Sequence, residues 1–309
     1  MLVTRRLPGG GLDPLEGHEL LQREDDRRFT PHELVEAARA VDAIVCLLTD
    51  DIDAGVIEAG AGRLKVIGNV AVGFDNVDVA AAARSGVAVC NTPGVLDETT
   101  ADLAFALILA ASRLLSDSER DLRSGQWKGW EIGRYLGRDV HGATIGLVGY
   151  GRIGRAVARR ARGFDMRVLH HARHDTGEAG FTPDLDTLLR TADVVSLHVP
   201  MNERTHHLID ARRLELMKPS AVLVNTARGP VVDEEALASA LEGGSIFAAG
   251  LDVYEREPEL HPRLLTAPRT VLLPHIGSAS LATRTRMAQL ACEGVRAVLA
   301  GERPANLVT

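Results

Sequence analysis

The chain is poor in lysine, cysteine and aromatic side chains, and each shortage narrows what it can be. Of its 35 basic residues only Lys65, Lys128 and Lys218 are lysine, and they are dispersed. Set against 42 acidic residues, they leave a formal charge of −7, which argues against nucleic acid as a main partner. The excess of arginine over lysine resembles a coding bias more than a binding patch. Cysteine is confined to Cys46, Cys90 and Cys292, with no C-x-x-C pair. A disulfide framework is therefore not expected, and a reducing compartment, the cytoplasm, is. The longest unbroken apolar run, Leu103–Ala111, is too short and too alanine-rich to span a bilayer, so no membrane is expected as a partner. Met1–Arg6 leads into Leu7-Pro8-Gly9-Gly10 rather than the apolar core of a signal peptide. Internal repeats and low-complexity segments are lacking too. What remains is an ordinary globular composition, 45% apolar and 25% charged over 309 residues, enough for two domains.

What the chain does have is glycine in one informative place. Thr144–Val148 is a short apolar run of strand type, followed at once by Gly149-Tyr150-Gly151-Arg152-Ile153-Gly154. Helical apolar spacing then runs over Ile153–Arg162, and Arg167–His171 reads as a second strand. In such a βαβ unit Gly149 makes the tight turn, Gly151 lets the backbone approach a pyrophosphate, and Gly154 lets helix and strand pack closely. The helix N-terminus supplies amide donors and the positive end of its dipole. Dinucleotide binding is the expectation. An NAD site usually ends its second strand with Asp or Glu, which takes the ribose 2′-hydroxyl. Here that place reads His171-Ala172-Arg173-His174, with Asp165 before the strand and Asp175 just beyond it. Arg173 beside a histidine suits a 2′-phosphate, so NADP(H) is favoured over NAD(H).

The flanking sequence alternates strand and helix on both sides of this unit. Before it, strands are expected at Leu2–Thr4, Ala43–Leu48, Leu64–Asn69 and Val87–Cys90. A capping box, Thr30-Pro31-His32-Glu33, opens a helix to about Ala40. After it, strands at Val194–His198, Ala221–Asn225, Phe247–Asp252 and Thr270–Leu273 alternate with helices, and a long helix covers Ser280–Ala300. The expected fold is α/β: two doubly wound parallel-sheet domains, Rossmann- or flavodoxin-like, with a cleft between them. Residues 1–97 and 281–309 would form a substrate-binding domain, and 98–280 the dinucleotide-binding domain. Glu98–Leu115 is apolar on nearly every face and is expected to be buried between domains or subunits. Ser116–Gly137 reads as a loop carrying both tryptophans, Trp127 and Trp130, for which a subunit partner is the expected seat. A homodimer follows.

In a parallel sheet of this kind ligands sit at the carboxyl ends of the strands, and three strand ends carry groups suited to redox chemistry at a carbonyl. Arg228, in Asn225-Thr226-Ala227-Arg228-Gly229, can polarise a carbonyl and pair bidentately with a carboxylate. His275 can donate a proton near neutral pH. Glu257, 18 residues earlier, can hold the far ring nitrogen, fix its tautomer and favour imidazolium. Taken singly, each also reads as a surface arginine, a solvated loop acid or a turn histidine. The pair His170-His171 lacks a second ligand pair at suitable spacing, so no metal site is expected.

The order of motifs along the chain resembles the D-isomer-specific 2-hydroxyacid dehydrogenase family over nearly its whole length. The matching stretches are Val70–Asp78, Thr100–Ala104, Gly149–Gly154, His198-Val199-Pro200, Asn225–Gly229, Gly250–Val253, Glu257-Pro258 and Pro274–Ser278. Within the family the chain looks most like glyoxylate/hydroxypyruvate reductases, through Leu169–Arg173 and His261–Leu265. The resemblance implies reduction of a small 2-keto acid by hydride transfer, with Arg228, Glu257 and His275 as the catalytic set. By the same resemblance Asp252 would hold the nicotinamide carboxamide, and Arg152 and Ile153 would give amides to the pyrophosphate. Thr100, Pro200, Thr205 and Ala227 would line the cofactor cleft. The amides of Val72 and Gly73 would hold the substrate carboxylate, and Trp130 would reach an active site, its own or a partner's. Formate-oxidising relatives pair their histidine with Gln where this chain has Glu257, and phosphite-oxidising relatives carry Lys where it has Val72. Two other readings stand beside the reductase. One is a D-2-hydroxyacid dehydrogenase with another substrate. The other is a cofactor-sensing corepressor, from which extra tails would be expected.

Overall fold

The computed structural model describes residues 1–308. The chain divides into two compact units, Met1–Leu96 with Ser278–Thr309, and Asp97–Gly277. The first unit runs β1 (Leu2–Val3), β2 (Leu21–Gln22), α1 (Pro31–Ala38), β3 (Ala43–Cys46), α2 (Ala54–Ala59), β4 (Val66–Asn69), α3 (Val79–Arg84) and β5 (Ala88–Cys90). Its strands form one parallel sheet in the order β2-β1-β3-β4-β5. β3 and β4 are buried at every residue, as strands covered on both faces must be. The helices begin on side-chain caps. Thr30 and Glu33 exchange the two bonds of a capping box on α1, and Asp53 and Asp78 cap α2 and α3. β2 and α3 lie outside the expected elements. β2 is too short to show a period, and α3 is an alanine run whose signal is its Asp78 cap.

The second unit runs α4 (Asp97–Ser112), α5 (Leu115–Arg123), β6 (Thr144–Val148), α6 (Arg152–Arg162), β7 (Arg167–His171), α7 (Leu185–Thr191), β8 (Val194–Leu197), α8 (Ala211–Leu216), β9 (Val222–Asn225), α9 (Glu234–Gly243), β10 (Ala248–Leu251), α10 (Pro262–Thr266) and β11 (Thr270–Leu272). Its parallel sheet has the order β11-β10-β9-β8-β6-β7. α11 (Leu281–Leu299) returns to the first unit and packs on β3, β4 and β5. Both sheets are thus doubly wound α/β layers.

One expectation about the second unit is narrowed and one is corrected. α4 is buried, and its own unit supplies much of the cover. Its residues Ala101, Ala104, Phe105, Leu107, Ile108 and Ala111 are buried in the core formed with β6, β8, β9 and α6. A helix wedged between a sheet and another helix needs apolar residues on two sides, which explains its pattern. The segment after it is not all loop, because α5 occupies Leu115–Arg123. That helix has no buried residue, and it is braced by Asp117–Arg120 and Glu119–Arg123 ion pairs along its own surface. Among the described residues no single helix is long and apolar enough to cross a membrane.

Candidate active site

β6 lies between β7 and β8, so the connections leaving it diverge to opposite sides and open a crevice at the carboxyl ends of β6 and β8. Gly149 stands at that point with φ +96, and a Cβ there would come within 2.5 Å of the His198 carbonyl oxygen at the end of β8. Only glycine fits this turn. Gly154 packs its Cα against the Gly149 carbonyl, whereas Gly151 meets open space, with nothing within 4 Å of an added Cβ. Gly151 is also the N-cap of α6 and provides no side-chain cap. The first turn of an 11-residue helix, with the Arg152 and Ile153 amides, is thereby left approachable by an anion. This fits a dinucleotide pyrophosphate.

At the end of β7, Arg173, His174 and Asp175 are exposed. Asp175 accepts the Gly177 amide at 2.9 Å, so its carboxylate closes the turn. The neighbouring histidines are structural. His170 is fully buried, stacks on Tyr150 with centroids 3.7 Å apart and bonds Thr176 Oγ1 at 2.7 Å. Burial, then the charge of Arg155, pushes its pKa down. His171 Nδ1 lies 3.1 Å from the Thr182 carbonyl. Among the described residues no group of three or more His, Cys, Asp or Glu is placed to hold a metal.

Glu257 and His275 are brought together, with Glu257 Oε2 2.8 Å from His275 Nδ1. The other carboxylate oxygen accepts the Tyr254 amide at 3.0 Å. Burial pushes the Glu257 carboxyl up, but the His275 hydrogen bond and charge, the Tyr254 amide and the charge of Arg228 outweigh it, so the group lies below its ordinary range. Arg228 follows β9 in a segment closed by Asn225, which donates to the Arg228 carbonyl at 2.9 Å and accepts the Ala227 amide at 3.0 Å. Gly229 lies against the Tyr254–Glu255 peptide so closely that any Cβ would overlap it. The Arg228 and Glu257 segments are therefore in backbone contact.

Asp252 is engaged by the protein's own backbone. It is 1% exposed, and its two oxygens accept the Ile276 amide at 2.8 Å and the Gly277 amide at 2.7 Å. Burial raises its pKa against the pull of those amides and of His275. Its first task is to fold the turn that carries His275, whose φ of +54 is left-handed. Thr205 is likewise engaged, donating to the Pro200 carbonyl at 2.7 Å and accepting the Asn202 amide at 2.9 Å. Thr100 is buried, 5% exposed, against Gly277. His198, before Pro200, bonds Ser196 Oγ at 3.0 Å, and burial lowers its pKa to about 4, so it stays neutral. In the first unit the Ala71 carbonyl accepts the Thr92 amide at 2.9 Å and the Val72 carbonyl accepts from the Asn91 side chain at 2.8 Å, which fixes the two peptides that carry the Val72 and Gly73 amides. Trp130 is 81% exposed. Tyr254 was not singled out in the sequence. It reaches Glu257 through its own backbone amide, which residue type does not advertise.

A glycine turn at a sheet switch point, with an arginine and a histidine–carboxylate pair at later strand ends of the same sheet, is the equipment of a nucleotide-dependent dehydrogenase. The family of D-isomer specific 2-hydroxyacid dehydrogenases, through its NAD binding domain, matches residues 105–277. A glyoxylate reductase of Thermococcus onnurineus is 47% identical over 319 aligned residues, covering 100% of this chain and 95% of that protein. One from Korarchaeum cryptofilum is 48% identical over 318, with the same coverage. Among solved structures, the NADPH-dependent glyoxylate/hydroxypyruvate reductase of Sinorhizobium meliloti, in complex with NADP and malonate, superposes with a TM-score of 0.89 at 35% identity, covering 100% of this chain and 96% of that one. The chain belongs to the D-isomer specific 2-hydroxyacid dehydrogenase family.

Proposed function

We propose that this protein reduces glyoxylate, hydroxypyruvate and related small 2-keto acids to the corresponding 2-hydroxy acids (glycolate, D-glycerate), and that NADPH is its preferred reductant. The observation that carries the reaction type is the 2.8 Å pairing of Glu257 with His275 Nδ1, which leaves Nε2 for the substrate. A bound nicotinamide supplies the hydride to the carbonyl carbon. His275 gives its proton to the carbonyl oxygen as negative charge develops there. Arg228 binds the carboxylate and carbonyl through its planar fork, and the Val72 and Gly73 amides take the other carboxylate oxygen. Gly149, Gly151, Arg152, Ile153 and Gly154 form the pyrophosphate site, with Thr100, Pro200, Thr205, Ala227 and Asp252 along the nicotinamide side. NADPH oxidation on addition of glyoxylate tests the proposal. A chain that bound NADPH yet left it unoxidised with every 2-keto acid tried would be a cofactor-sensing module instead.

Cofactor choice rests on Arg173. No acid stands at the end of β7 to repel a 2′-phosphate, and Asp175 is engaged with Gly177. A charge-assisted bond from arginine is worth roughly 10- to 150-fold in affinity where water is excluded. Arg173 is exposed, so the expected preference in kcat/KM falls below that range, up to roughly fivefold. The double variant Ala172→Asp/Arg173→Ala should reverse it. A wild type that prefers NADH, or a ratio unmoved in the double variant, would contradict the assignment.

With α4 accounted for inside its own unit, the argument for a homodimer rests on the segment after it. Leu115, Leu122, Trp127, Trp130, Ile132 and Leu136 are all exposed, Trp130 and Ile132 each at 81%. Apolar area of this extent on one segment marks a protein contact, and Trp130 would approach an active site from it. Light scattering at micromolar concentration should give twice the chain mass of 33.1 kDa; a single-chain mass would refute the dimer. The three cysteines are free and buried, and burial raises Cys90 to about 11 and Cys292 to about 12. Such thiols are inert, in keeping with a cytoplasmic setting.

A further inference from the structure

The loop that carries Glu257 runs from the end of β10 to the start of α10, and one buried carboxylate holds it on both sides of Glu257. Glu234, the first residue of α9, is 6% exposed. Its Oε1 accepts the Glu255 amide at 2.8 Å and its Oε2 the His261 amide at 3.3 Å. The bond is returned, because the Glu234 amide donates to Glu255 Oε1 at 2.9 Å. Capping does not explain this. The cap of α9 is Asp233, which accepts the Ala236 amide at 3.0 Å, and the oxygens of Glu234 are spent on the loop instead. The helix N-terminus favours the negative charge, while burial pushes the carboxyl up against the two amides.

The junction reaches both halves of the catalytic set. The Tyr254 amide, one residue before Glu255, donates to Glu257 Oε1. Gly229, one residue after Arg228, lies against the Tyr254–Glu255 peptide. A shift of Glu255 would therefore move the acceptor geometry of Glu257 and the seat of Arg228 together. The other titratable groups facing the junction are His207, with Nε2 3.2 Å from Glu255 Oε1 and Nδ1 3.9 Å from Asp233 Oδ2, and His261, with Nε2 3.0 Å from Glu235.

We propose that Glu234 is a positioning residue for the Glu257–His275 pair, acting by pinning the loop at Glu255 and His261. The inference rests on the reading of His275 as proton donor. The test is Glu234→Gln, which keeps the shape but replaces one acceptor oxygen by an amide group that cannot accept, so one end of the loop is released. The expected result is a fall in kcat of about tenfold, with KM for glyoxylate changed far less. The alkaline limb of the reduction should move to lower pH, as in Glu257→Gln, and an NMR titration of the His275 ring should move with it. In a Glu257→Gln background the same change should add little, since coupled residues are not additive. Unchanged kcat with an unmoved limb would overturn the proposal, and so would a lower kcat tracking only a lower Tm with the limb in place. If Glu234→Gln does not fold, Glu255→Ala, which removes the returned bond, should give the same limb shift at smaller size, and an unmoved limb there would count equally against it. His275→Ala, measured alongside, separates the two ideas. Retained turnover in His275→Ala would defeat the proton-donor reading, whereas its loss beside an unaffected Glu234→Gln would defeat only the positioning role.

Discussion

His275→Ala is expected to lower kcat for keto-acid reduction by about 10²–10⁴-fold, the usual contribution of a positioned general acid. The expectation comes from how much of the local structure is given over to this ring. Its backbone is left-handed at φ +54, a conformation uncommon outside glycine though visited by His, Asn and Asp more than by most residues, and Asp252 holds it by taking the next two amides. Strained residues of this kind persist where the surroundings over-determine them. Glu257 then fixes the ring through Nδ1, and its carboxyl lies below its ordinary range. A carboxyl of lowered pKa contributes its stabilisation above the ordinary carboxylate range and loses it only as the pH falls through the lowered value. The pairing is therefore fully present across the neutral range. Glu257→Gln removes the negative charge that favours the cationic ring, so the alkaline limb of the reduction should move to lower pH. A His275→Ala enzyme with near-normal turnover, or a Glu257→Gln enzyme with its limb unmoved, would rule out the assigned roles.

The parts of this molecule that were legible in the sequence are those encoded by side-chain type at fixed spacing. The turn at Gly149, the strands β6 and β7 and the capping box at Thr30 each have a residue pattern that only one local geometry satisfies. The exposed helix α5 was not legible, because its stability comes from ion pairs such as Asp117–Arg120 and from no buried face. α4 is legible as a helix, but the core of its own unit that it joins is not. An apolar pattern tells that a face is covered and not what covers it. The same limit applies within the site. Arg228, Glu257 and His275 were visible as ionisable groups at strand ends. The grip of Asp252 on Ile276 and Gly277, and of Glu234 on Glu255 and His261, was not, since the partners are backbone amides present at every position.

Arg228→Lys should lower kcat/KM by roughly 10²-fold although it preserves the charge. Arginine presents two parallel N–H donors in a plane, and lysine a single hydrated point charge on a flexible stem. One lost charge-assisted bond in a water-excluded site costs about 1.5–3 kcal/mol, about 10- to 150-fold at 1.4 kcal/mol per decade. The scaffold around Arg228 is built for that fork. Asn225, 1% exposed, closes the segment from both sides through the Arg228 carbonyl and the Ala227 amide. Nη1 donates to the Ala227 carbonyl at 2.9 Å, so part of the guanidinium is spent on orienting the rest. Lysine has no second rigid donor with which to do both. The loss should divide between the two kinetic constants, because the carboxylate is bound equally in ground and transition states while the carbonyl oxygen gains charge only as reaction proceeds. KM for glyoxylate should rise and kcat should fall. In Arg228→Ala, added guanidinium should restore part of kcat, and methylammonium should restore less. Near-normal kcat/KM in Arg228→Lys, or equal rescue by the two cations, would show that charge alone suffices and that the planar fork has no part in the reaction.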